Sequence, residues 1–415
     1  MLSPGIVFNN KFNFKKTFTA FQYPNYRLWF FGQLVSLLGT WMQTTAQGFL
    51  VFQITHSPAY LGYVSFAAGI PTWLFMLYGG VIADRIPRRT LLIITQSAMM
   101  ILAFILASLT FLALVHPMQI IILAFLTGVV NAFDAPARQA FVLDMVERDD
   151  IANAIALNST MFNTATATGP AVAGITYAAF GPGWCFTING ISYIAVIIAL
   201  LRMKLKTRTG QPQKTSTISD LKEGLRYVVK HRAIRGLIFL IAIVSLFGMA
   251  FVTLIPAWAV KVLGGDAKTN GLLQSARGIG ALIGTLFIAS LGRFQFKGKL
   301  LTVGTFVFPS MLIVFSFIRY LPLSLLVLVF TGAGLILVFN LANSLVQSLV
   351  DDRFRGRIMG IYSLTFFGFM PLGGLIFGAM AESLGEVITI IGGCSVILIA
   401  AMLIFLFIPR LRRLA

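Results

Sequence analysis

Charged side chains are scarce in this 415-residue sequence. Asp, Glu, Lys and Arg together make up 11% of it, and only 13 residues are acidic. Hydrophobic residues account for 58%, and the mean hydropathy is +0.88. A single water-soluble core cannot hide that much apolar surface. The composition therefore excludes an ordinary soluble globular protein and indicates that lipid is the solvent.

Cysteine and histidine are almost absent. Cys185 and Cys394 lie in apolar segments without a partner spacing, and the three histidines fall in predicted loops or at span edges. The cysteines therefore suggest neither a disulfide framework nor a metal site. The positions of the histidines also leave no convergent catalytic groups, so a membrane-embedded lipid-modifying enzyme is only a remote alternative. The sequence contains no Walker-type phosphate loop, and we expect no cofactor.

What the sequence has instead is a succession of long apolar runs. Each is about as long as the roughly 20 residues that a helix needs to cross a bilayer. The runs are continuous rather than alternating, which favours helices over a barrel. We predict an all-α membrane protein of twelve transmembrane helices. The predicted spans are 28–52, 60–82, 90–114, 118–143, 152–178 and 183–203 in a first half, and 236–261, 269–292, 299–318, 321–347, 356–380 and 386–408 in a second.

The net charge of +19 is concentrated on one face of the membrane. Apart from Lys261, Lys268, Arg277 and Arg319, the Lys and Arg residues lie in the two tails and in alternate loops or beside them. Because Lys and Arg concentrate on the cytoplasmic side of a membrane, both termini are predicted to be cytoplasmic. The charge thus reflects topology in a cell (inner or plasma) membrane, and no nucleic-acid partner is expected.

The two halves resemble each other. Gly39 and Gly62 recur at the same spacing as Gly248 and Gly271, and internal repeats of this kind are typical of transporters. We predict two pseudo-symmetric six-helix bundles joined by a cytoplasmic basic linker, with short cytoplasmic segments at both ends. The predicted boundaries are 1–27, 28–203, 204–235, 236–408 and 409–415.

The later part of the linker is amphipathic. Between Ile218 and Val229, one side carries Leu221, Leu225, Val228 and Val229, and basic residues lie elsewhere. Two interpretations remain open, a helix that lies on anionic lipid and a solvated tether.

The segment Gly80-Val-Ile-Ala-Asp84-Arg85-Ile-Pro-Arg88-Arg89 resembles the loop motif of the major facilitator superfamily. A glycine lets two helices approach, the carboxylate can cap a helix end, and the arginines sit at the cytoplasmic surface. In that family the cluster is a cytoplasmic gate, and the resemblance implies the same role here. The implied gate residues are Gly80, Asp84, Arg85, Arg88, Arg89, Arg138, Arg355 and Arg357.

Other segments resemble the branch of enterobactin-type siderophore exporters and macrolide-efflux transporters. They are Asn25-Tyr-Arg-Leu-Trp29, Asn131 to Phe141 and Arg355-Gly-Arg357. Gly169-Pro170-Ala-Val-Ala-Gly174 is similar to the glycine-proline motif of antiporters, which implies that Gly169, Pro170 and Gly174 pack helices together. The resemblance implies proton-coupled export of an amphipathic organic molecule, such as a siderophore or a drug, by alternating access.

The chain departs from that pattern at three places. Pro87 stands where the loop motif usually has glycine, and the second-half copy, which begins at Gly292, lacks the aspartate. The gate is therefore expected to be asymmetric. Thr166 stands where this branch is expected to have a basic residue, so the charge preference for the substrate is open.

Asp134 is the only carboxylate predicted well inside a span, and Arg138 follows it by one helical turn. Charges at that depth are costly and indicate function, and this spacing lets the two side chains pair. One hypothesis is that Asp134 binds and releases a proton as access alternates. The alternative is that both residues belong to the gate, bound to Arg85 or Arg88, in which case uptake or facilitated diffusion without proton coupling is favoured.

Arg277 lies about two turns into predicted span 8 with no carboxylate in reach by sequence. It either contacts an anionic group of the substrate or a gate, or extends to the outer surface. Polar residues on helix faces mark a central cavity, which suits a small amphipathic organic substrate. We expect the transporter to be a monomer, with protons as its second partner. The cavity candidates are Gln33, Thr40, Trp41, Thr44, Gln47, Asn163, Thr166, Gln274, Arg277, Asn340, Asn343 and Gln347.

Overall fold

The computed structural model describes residues 18–204, 217–292 and 294–414, with the backbone only at 76, 77, 81, 83, 84 and 217–221. The N-terminal segment before residue 18 and linker residues 205–216 lie outside it. Over the described part the chain is helical and contains no β-strand. The helices are α1 (Pro24–Thr55), α2 (Pro58–Arg85), α3 (Arg88–Phe111), α4 (Pro117–Phe141), α5 (Ile151–Phe180), α6 (Pro182–Arg202), α7 (Thr217–Lys230), α8 (Arg232–Val262), α9 (Ala267–Ser290), α10 (Lys297–Phe317), α11 (Leu321–Leu349), α12 (Arg355–Leu384) and α13 (Glu386–Phe407).

The predicted spans coincide with helices. Within the described residues, nine helices are long and apolar enough to cross a membrane, namely α3, α4, α6 and α8 to α13. Helices α1, α2 and α5 have 32, 28 and 30 residues, which also exceeds the roughly 20 that a crossing requires. The prediction of an all-α, multi-pass membrane protein is confirmed. The count of twelve crossings stays a prediction.

The helix ends follow from local sequence. Helices α1, α2, α4 and α6 each begin at a proline, which is favoured there because its missing N–H has no helical partner to lose. Gly181 and Gly385 are single-residue connections, between α5 and α6 and between α12 and α13, with φ of 88° and 83°. Only glycine adopts that region freely. The same glycine joint thus occurs at corresponding places in the two halves.

Corresponding helices pack in corresponding ways. In the first half α2 packs on α4 and α3 on α6, and in the second half α9 packs on α11 and α10 on α13. This agreement supports the predicted repeat. Between the halves the main contacts join α2 to α12 and α5 to α9. We call these two helix pairs the seam.

The linker helix α7 lies against the start of α12. Arg357 Nη1 donates a hydrogen bond to Glu223 Oε2 at 2.6 Å, and Val228 is buried. Leu225 and Val229 are each 55% exposed. The helix is therefore docked on the second half, which neither interpretation of the sequence included, while its exposed apolar residues stay available to lipid.

Candidate functional site

The seam is closed at the end of the molecule where α1 meets α2 and α8 meets α9, which we call the closed end. A Cβ on Gly62 of α2 would lie 2.9 Å from the carbonyl oxygen of Gly374 and 3.2 Å from Cα of Gly378, both on α12. A Cβ on Gly271 of α9 would lie 2.3 Å from the carbonyl oxygen of Pro170 on α5. Because no side chain fits there, the halves meet at backbone distance.

The glycine-proline segment of α5 takes part in this packing on two sides. A Cβ on Gly174 would lie 2.7 Å from the carbonyl oxygen of Ala267 at the start of α9. A Cβ on Gly169 would instead lie 2.6 Å from Cβ of Trp41 on α1. The segment thus fits α5 against a neighbour in its own half and against the other half at once.

Polar side chains also bridge the closed end. The Glu382 carboxylate at the end of α12 accepts hydrogen bonds from Ser57 Oγ at 2.7 Å and from the Ala59 N–H at 3.3 Å, which places it at the N-terminus of α2. Deeper in the protein, Thr45 Oγ1 of α1 donates to Gln274 Oε1 of α9 at 3.5 Å. Direct contacts between the halves therefore seal this end.

A small cavity lies at the surface of the same end. It has a volume of about 430 Å³ and is lined from both halves by Phe49, Phe52, Tyr177, Val260 and other residues. The Tyr177 hydroxyl donates to Gln53 Oε1 at 2.5 Å beside it. The cavity is a vestibule outside the sealed part of the seam.

The seam helices lose their contacts toward the other end, where the two ends of the described chain lie and which we call the open end. Within the described part of the chain, nothing lies within 4 Å of a Cβ placed on Gly80 of α2 or on Gly360 of α12, beyond their own helices and chain neighbours. On α5, Thr166 is buried, whereas Phe162 one turn further is 46% exposed. A space between the halves therefore opens at this end, as alternating access requires of one of its two states.

Asp134 is buried inside the first half. Its Oδ1 accepts hydrogen bonds from Thr95 Oγ1 at 2.7 Å and Gln96 Nε2 at 2.9 Å, both on α3. Its Oδ2 lies 3.7 Å from Arg138 Nε and has no hydrogen-bond partner. The predicted pairing of Asp134 with Arg138 is present. Arg88, named as a possible partner of Asp134, binds another carboxylate.

The arginines at the start of α3 are held within the first half. Arg88 Nη1 donates to both carboxylate oxygens of Asp144, at 2.9 Å and 3.0 Å. Arg89 Nη2 donates to the carbonyl oxygen of Leu201 at 2.8 Å. The side chain of Asp84 lies outside the described residues, so its role as a helix cap stays a prediction.

Gly79, rather than Gly80, is the glycine at which α2 approaches a neighbour. A Cβ on Gly79 would lie 2.2 Å from the carbonyl oxygen of Ala132 on α4, whereas Gly80 points into open space. The expectation that Gly80 permits the close approach was wrong by one residue. Gly79 directly precedes the loop motif, and only the rotation of α2 against α4 decides which of the two adjacent glycines faces the contact.

Two of the other gate candidates form ion pairs outside the first half. Arg355 pairs with Asp352 at 2.5 Å, and Arg357 pairs with Glu223 of α7 at 2.6 Å. Arg85 is exposed. These partners are compatible with a seam that is open at this end, and the gate itself stays a prediction.

The cavity candidates on α1 contact several different helices. Thr40 Oγ1 lies 3.3 Å from the Tyr193 hydroxyl of α6, and the Trp41 ring packs edge-on against Phe162 of α5 with 5.8 Å between centroids. These two contacts lie within the first half. Of the remaining α1 candidates, Gln33 is buried, Gln47 is half-buried and Thr44 is exposed.

The candidates on α5 and α11 are mostly half-buried. Thr166 Oγ1 bonds the carbonyl oxygen of Phe162 in its own helix at 2.9 Å. Gln347 Nε2 donates to Asn343 Oδ1 at 2.5 Å near the open end of α11. Asn163 and Asn340 are half-buried. Side chains of this kind serve as helix-to-helix contacts or as cavity wall, and their role toward a substrate stays a prediction.

Arg277 lies in the middle of α9 and is only 6% exposed. Its Nε has no hydrogen-bond partner. Within the described residues no carboxylate lies at ion-pair distance from the guanidinium. The side chain stays inside the protein and does not extend to the outer surface, which was one of the two interpretations.

Three features of the site were missed from the sequence. They are the donors Thr95 and Gln96 to Asp134, the bond from Thr45 to Gln274 across the seam, and the contact of Glu382 of α12 with the start of α2. A signal for the first was present, since Thr95, Gln96 and Ser97 form a polar run in the middle of a largely apolar helix. Thr45 lies next to Thr44, a cavity candidate on α1, and only the orientation of the helix shows that Thr45 is the one that faces the seam.

Solved structures share this fold. A bacterial homologue of the human lysosomal transporter Spinster, in an inward-facing and unoccupied conformation, superposes with a TM-score of 0.71 at 15% identity, covering 94% of this chain and 98% of that one. The nucleoside transporter NupG gives a TM-score of 0.71 at 13% identity, covering 92% and 98%. At these identities the likeness establishes the fold alone.

Sequence relatives of full length are transporters rather than enzymes. The staphyloferrin A transporter of Staphylococcus aureus is 27% identical over 388 residues, 92% of this chain and 96% of that protein. The multidrug efflux pump Tap of Mycolicibacterium fortuitum is 24% identical, covering 92% and 95%, and the enterobactin exporter EntS of Citrobacter koseri is 23% identical, covering 94% and 93%. The sequence profile of the transmembrane secretion effector family matches residues 15–414. The chain is therefore a multi-pass cell-membrane transporter that belongs to the transmembrane secretion effector family of the major facilitator superfamily.

Proposed function

We propose that this transporter exports an amphipathic organic molecule, such as a siderophore or a drug, by alternating access in exchange for protons. The observation that carries the proposal is the seam, which is closed by glycine contacts at one end and parted at the other. A rigid-body movement of one half against the other would exchange the two ends. The names of the relatives, which include siderophore and drug transporters, indicate the class of substrate to test.

The proposed topology has twelve crossings with both termini in the cytoplasm. The basic residues Arg88, Arg89 and Arg355 all lie at the open end, as does the tail with Arg410 and Arg412. Because such residues concentrate on the cytoplasmic side, the space between the halves faces the cytoplasm. That is the side from which an exporter loads its substrate. We propose that a monomer suffices, since both halves of the seam come from one chain.

Asp134 is the proposed proton carrier. Its free Oδ2 atom lies 3.7 Å from Arg138 Nε, and a proton on that oxygen would remove the attraction between the two side chains. Arg138 is half-buried, so it would then be released toward the open end. Thr95 and Gln96 of α3 bind the same carboxylate through Oδ1, so its neutralisation would also weaken the contact of α4 with α3, and this is how proton binding would bias the two states.

A second candidate function is transport without proton coupling. Asp134 is enclosed in the first half, 1% exposed and bound at Oδ1 by Thr95 and Gln96. In this alternative, the carboxylate held in that way serves to fix α3 against α4. The fold would then operate as a facilitator for the same kind of molecule.

Transport in proteoliposomes distinguishes the two. Purified protein is reconstituted with an imposed pH gradient, and flux of dyes, macrolides and catechol siderophores is followed for the wild type and for Asp134→Asn. The matched control is Asp149→Asn, the same change at an exposed carboxylate outside the membrane helices of the same half. Binding of the same compounds is measured on each variant to separate coupling from folding.

For an antiporter we expect flux that depends on the pH gradient in the wild type and in Asp149→Asn. Asp134→Asn should bind substrate and lose that dependence. Gradient-independent flux in all three proteins would establish the facilitator instead. Absence of flux for every compound would contradict both forms of the proposal.

A further inference from the structure

Arg277 is a buried cation that the transport cycle proposed above does not use. It is 6% exposed, its Nε lacks a partner, and no hydrogen bond or ion pair to its guanidinium is found in the described part of the chain. A buried charge is costly unless it is paired and hydrogen-bonded. A cation in this condition inside a transporter is a candidate for pairing with something that enters the protein.

The packing of α9 shows on which side of the helix Arg277 lies. Gly278 meets α5, where a Cβ would lie 2.6 Å from the Thr166 carbonyl oxygen, and Gly280 meets α11, where a Cβ would lie 1.9 Å from the Val329 carbonyl oxygen. Gln274, one turn before Arg277, meets α1. At 100° per residue, Arg277 falls between the side that faces α1 and the side that faces α11. It therefore lies on the side of α9 directed between the two halves and not on the lipid side.

The depth of Arg277 coincides with the limit of the sealed region. Of the glycine contacts between α5 and α9, the one nearest the open end is at Thr166 and Gly278, next to Arg277 in the chain. Beyond it, Phe162 is already exposed toward the open end. A molecule that enters from the open end and advances until the halves meet would thus arrive at the guanidinium.

Three acidic residues inside or at the ends of the described membrane helices are engaged elsewhere. Asp134 pairs with Arg138 inside the first half, Glu382 binds the start of α2, and Glu386 pairs with Lys261 at the closed end. None of them reaches Arg277. The site therefore has one fixed positive charge, with the amide of Gln274 one turn away, and lacks an internal counter-ion within the described residues.

On the basis of the proposed transport function, we infer that Arg277 binds a carboxylate of the transported molecule. The planar guanidinium presents paired N–H donors that match a carboxylate. The position between the halves, away from lipid, favours a group carried by the substrate over a lipid headgroup. The substrate class is thereby narrowed to amphipathic organic acids.

The test uses a panel of dansyl amino acids, each as the free acid and as its methyl ester, which removes the negative charge and keeps the rest of the molecule. Binding is measured by fluorescence on the full-length protein in nanodiscs of phosphatidylcholine. The variants are Arg277→Gln and Arg277→Lys, with Arg148→Gln as a control because Arg148 is an exposed arginine. Each variant is first shown to be folded by size exclusion and thermal unfolding.

The wild type and Arg148→Gln should bind at least one acid more tightly than its ester. In Arg277→Gln the affinity for that acid should fall by roughly ten- to a hundredfold, as expected for a hydrogen bond to a charged group, with the ester unchanged. The affinity of Arg277→Lys for the acid should lie between those of the wild type and Arg277→Gln, because lysine keeps the charge and loses the planar pair of donors. Equal binding of acids and esters by the wild type, or no binding of either, overturns the inference.

A second arm addresses lipid. Nanodiscs that contain phosphatidylglycerol should give the same difference between acid and ester. If phosphatidylglycerol alone stabilises the wild type but not Arg277→Gln, the site binds a lipid headgroup and the inference fails. Selective binding of acids without any flux in proteoliposomes would support the site and contradict the transport proposal. Flux without selectivity for acids would support the transport proposal and contradict the site at Arg277.

Discussion

The carboxylate of Glu382, at the end of α12, accepts a hydrogen bond from the hydroxyl of Ser57, the residue that precedes α2, at 2.7 Å. The same oxygen accepts the N–H of Ala59 in the first turn of α2 at 3.3 Å. A negative charge is favourable at the N-terminus of a helix, where unpaired N–H groups point outward. Since the two residues belong to different halves, this contact forms only when the closed end is sealed.

Glu382→Gln should weaken the sealed state. The amide keeps one acceptor and loses the charge, and contacts of this exposed kind contribute modestly, so we expect roughly a two- to fivefold rise in the opening of the closed end. The measurement is the rate at which an impermeant maleimide labels Val260→Cys, whose side chain lines the vestibule at that end. The native Cys185 and Cys394 are buried, which keeps background labelling low.

Glu147→Gln is the control for this prediction, because Glu147 is exposed at the opposite end of the protein. Its labelling rate should equal that of the otherwise unchanged Val260→Cys protein. A Glu382→Gln protein with the same rate as that control would show that the contact does not hold the closed end together.

The glycines of the seam should not accept a methyl group. A Cβ on Gly271 would lie 2.3 Å from a backbone oxygen of α5, so Gly271→Ala must push the halves apart. Overpacking of this kind costs about 1–3 kcal/mol. We expect faster labelling of Val260→Cys and slower transport, without loss of the folded protein.

Gly392→Ala is the matched substitution, because nothing lies within 4 Å of a Cβ at that helical position. Alanine there should leave transport unchanged and raise thermal stability slightly, since glycine in a helix interior is less favourable by about 0.5–1 kcal/mol. Equal transport by Gly271→Ala and Gly392→Ala would contradict the account of the seam.

The sequence predicted the positions of the helices in the chain better than it predicted which side of each helix faces which neighbour. Hydropathy indicates directly which segments enter lipid, so the spans coincide with α1 to α6 and α8 to α13. Which side of a helix faces a given neighbour depends on its rotation and on the position of the other half. For that reason Thr40 was selected although it lies against α6, while Thr45, which bonds Gln274 across the seam, was overlooked.

The same limit applies to the charged residues. The spacing of Asp134 and Arg138 predicted their ion pair because both lie on one helix. The partners of Asp134 on α3 and the docking of α7 through Glu223 required knowledge of which helices are neighbours. Contacts between distant segments leave little trace in a single sequence.

A surface pair at the open end should give the protein a pH-dependent stability. Tyr23 donates a hydrogen bond to the Asp150 carboxylate at 2.8 Å. This bond is the main cause, and a hydrogen bond from Thr19 the second, of a pKa of Asp150 below its ordinary value. The bond therefore stabilises the folded state above about pH 4, the usual range for an unfolded Asp. The contribution is lost as the pH falls through the lower folded pKa.

Thermal unfolding of the wild type and Tyr23→Phe, measured in detergent from pH 7 to pH 3, checks this. The wild type should unfold at the higher temperature at pH 7, and the difference should shrink only below about pH 4. The control is Tyr63→Phe, at an exposed tyrosine of α2. A constant difference down to pH 3 would assign the effect of Tyr23 to packing rather than to the Asp150 carboxylate.

The hydrogen bond from Thr95 to Asp134 provides the sharpest test of what that carboxylate does. Thr95→Val removes the donor at 2.7 Å and keeps the shape of the side chain. If Asp134 is charged in the resting state, the loss should cost about 1.5–3 kcal/mol, as for other hydrogen bonds to charged groups. In an Asp134→Asn background the same change should cost less, because the partner is already neutral. Thr110→Val is the control, since Thr110 Oγ1 bonds only the Leu106 carbonyl oxygen of the same helix among the described contacts.

Stability and pH-driven flux are measured for all four members of this double-mutant cycle. An antiporter requires the coupling between Thr95 and Asp134 to appear in both quantities, since the proton that Asp134 binds must compete with the bonds that hold it. If the two substitutions couple in stability while flux keeps its dependence on the pH gradient throughout, Asp134 fixes α4 against α3 and the proton is carried elsewhere. If their effects simply add in both quantities, the buried bond is not what sets the state of this carboxylate.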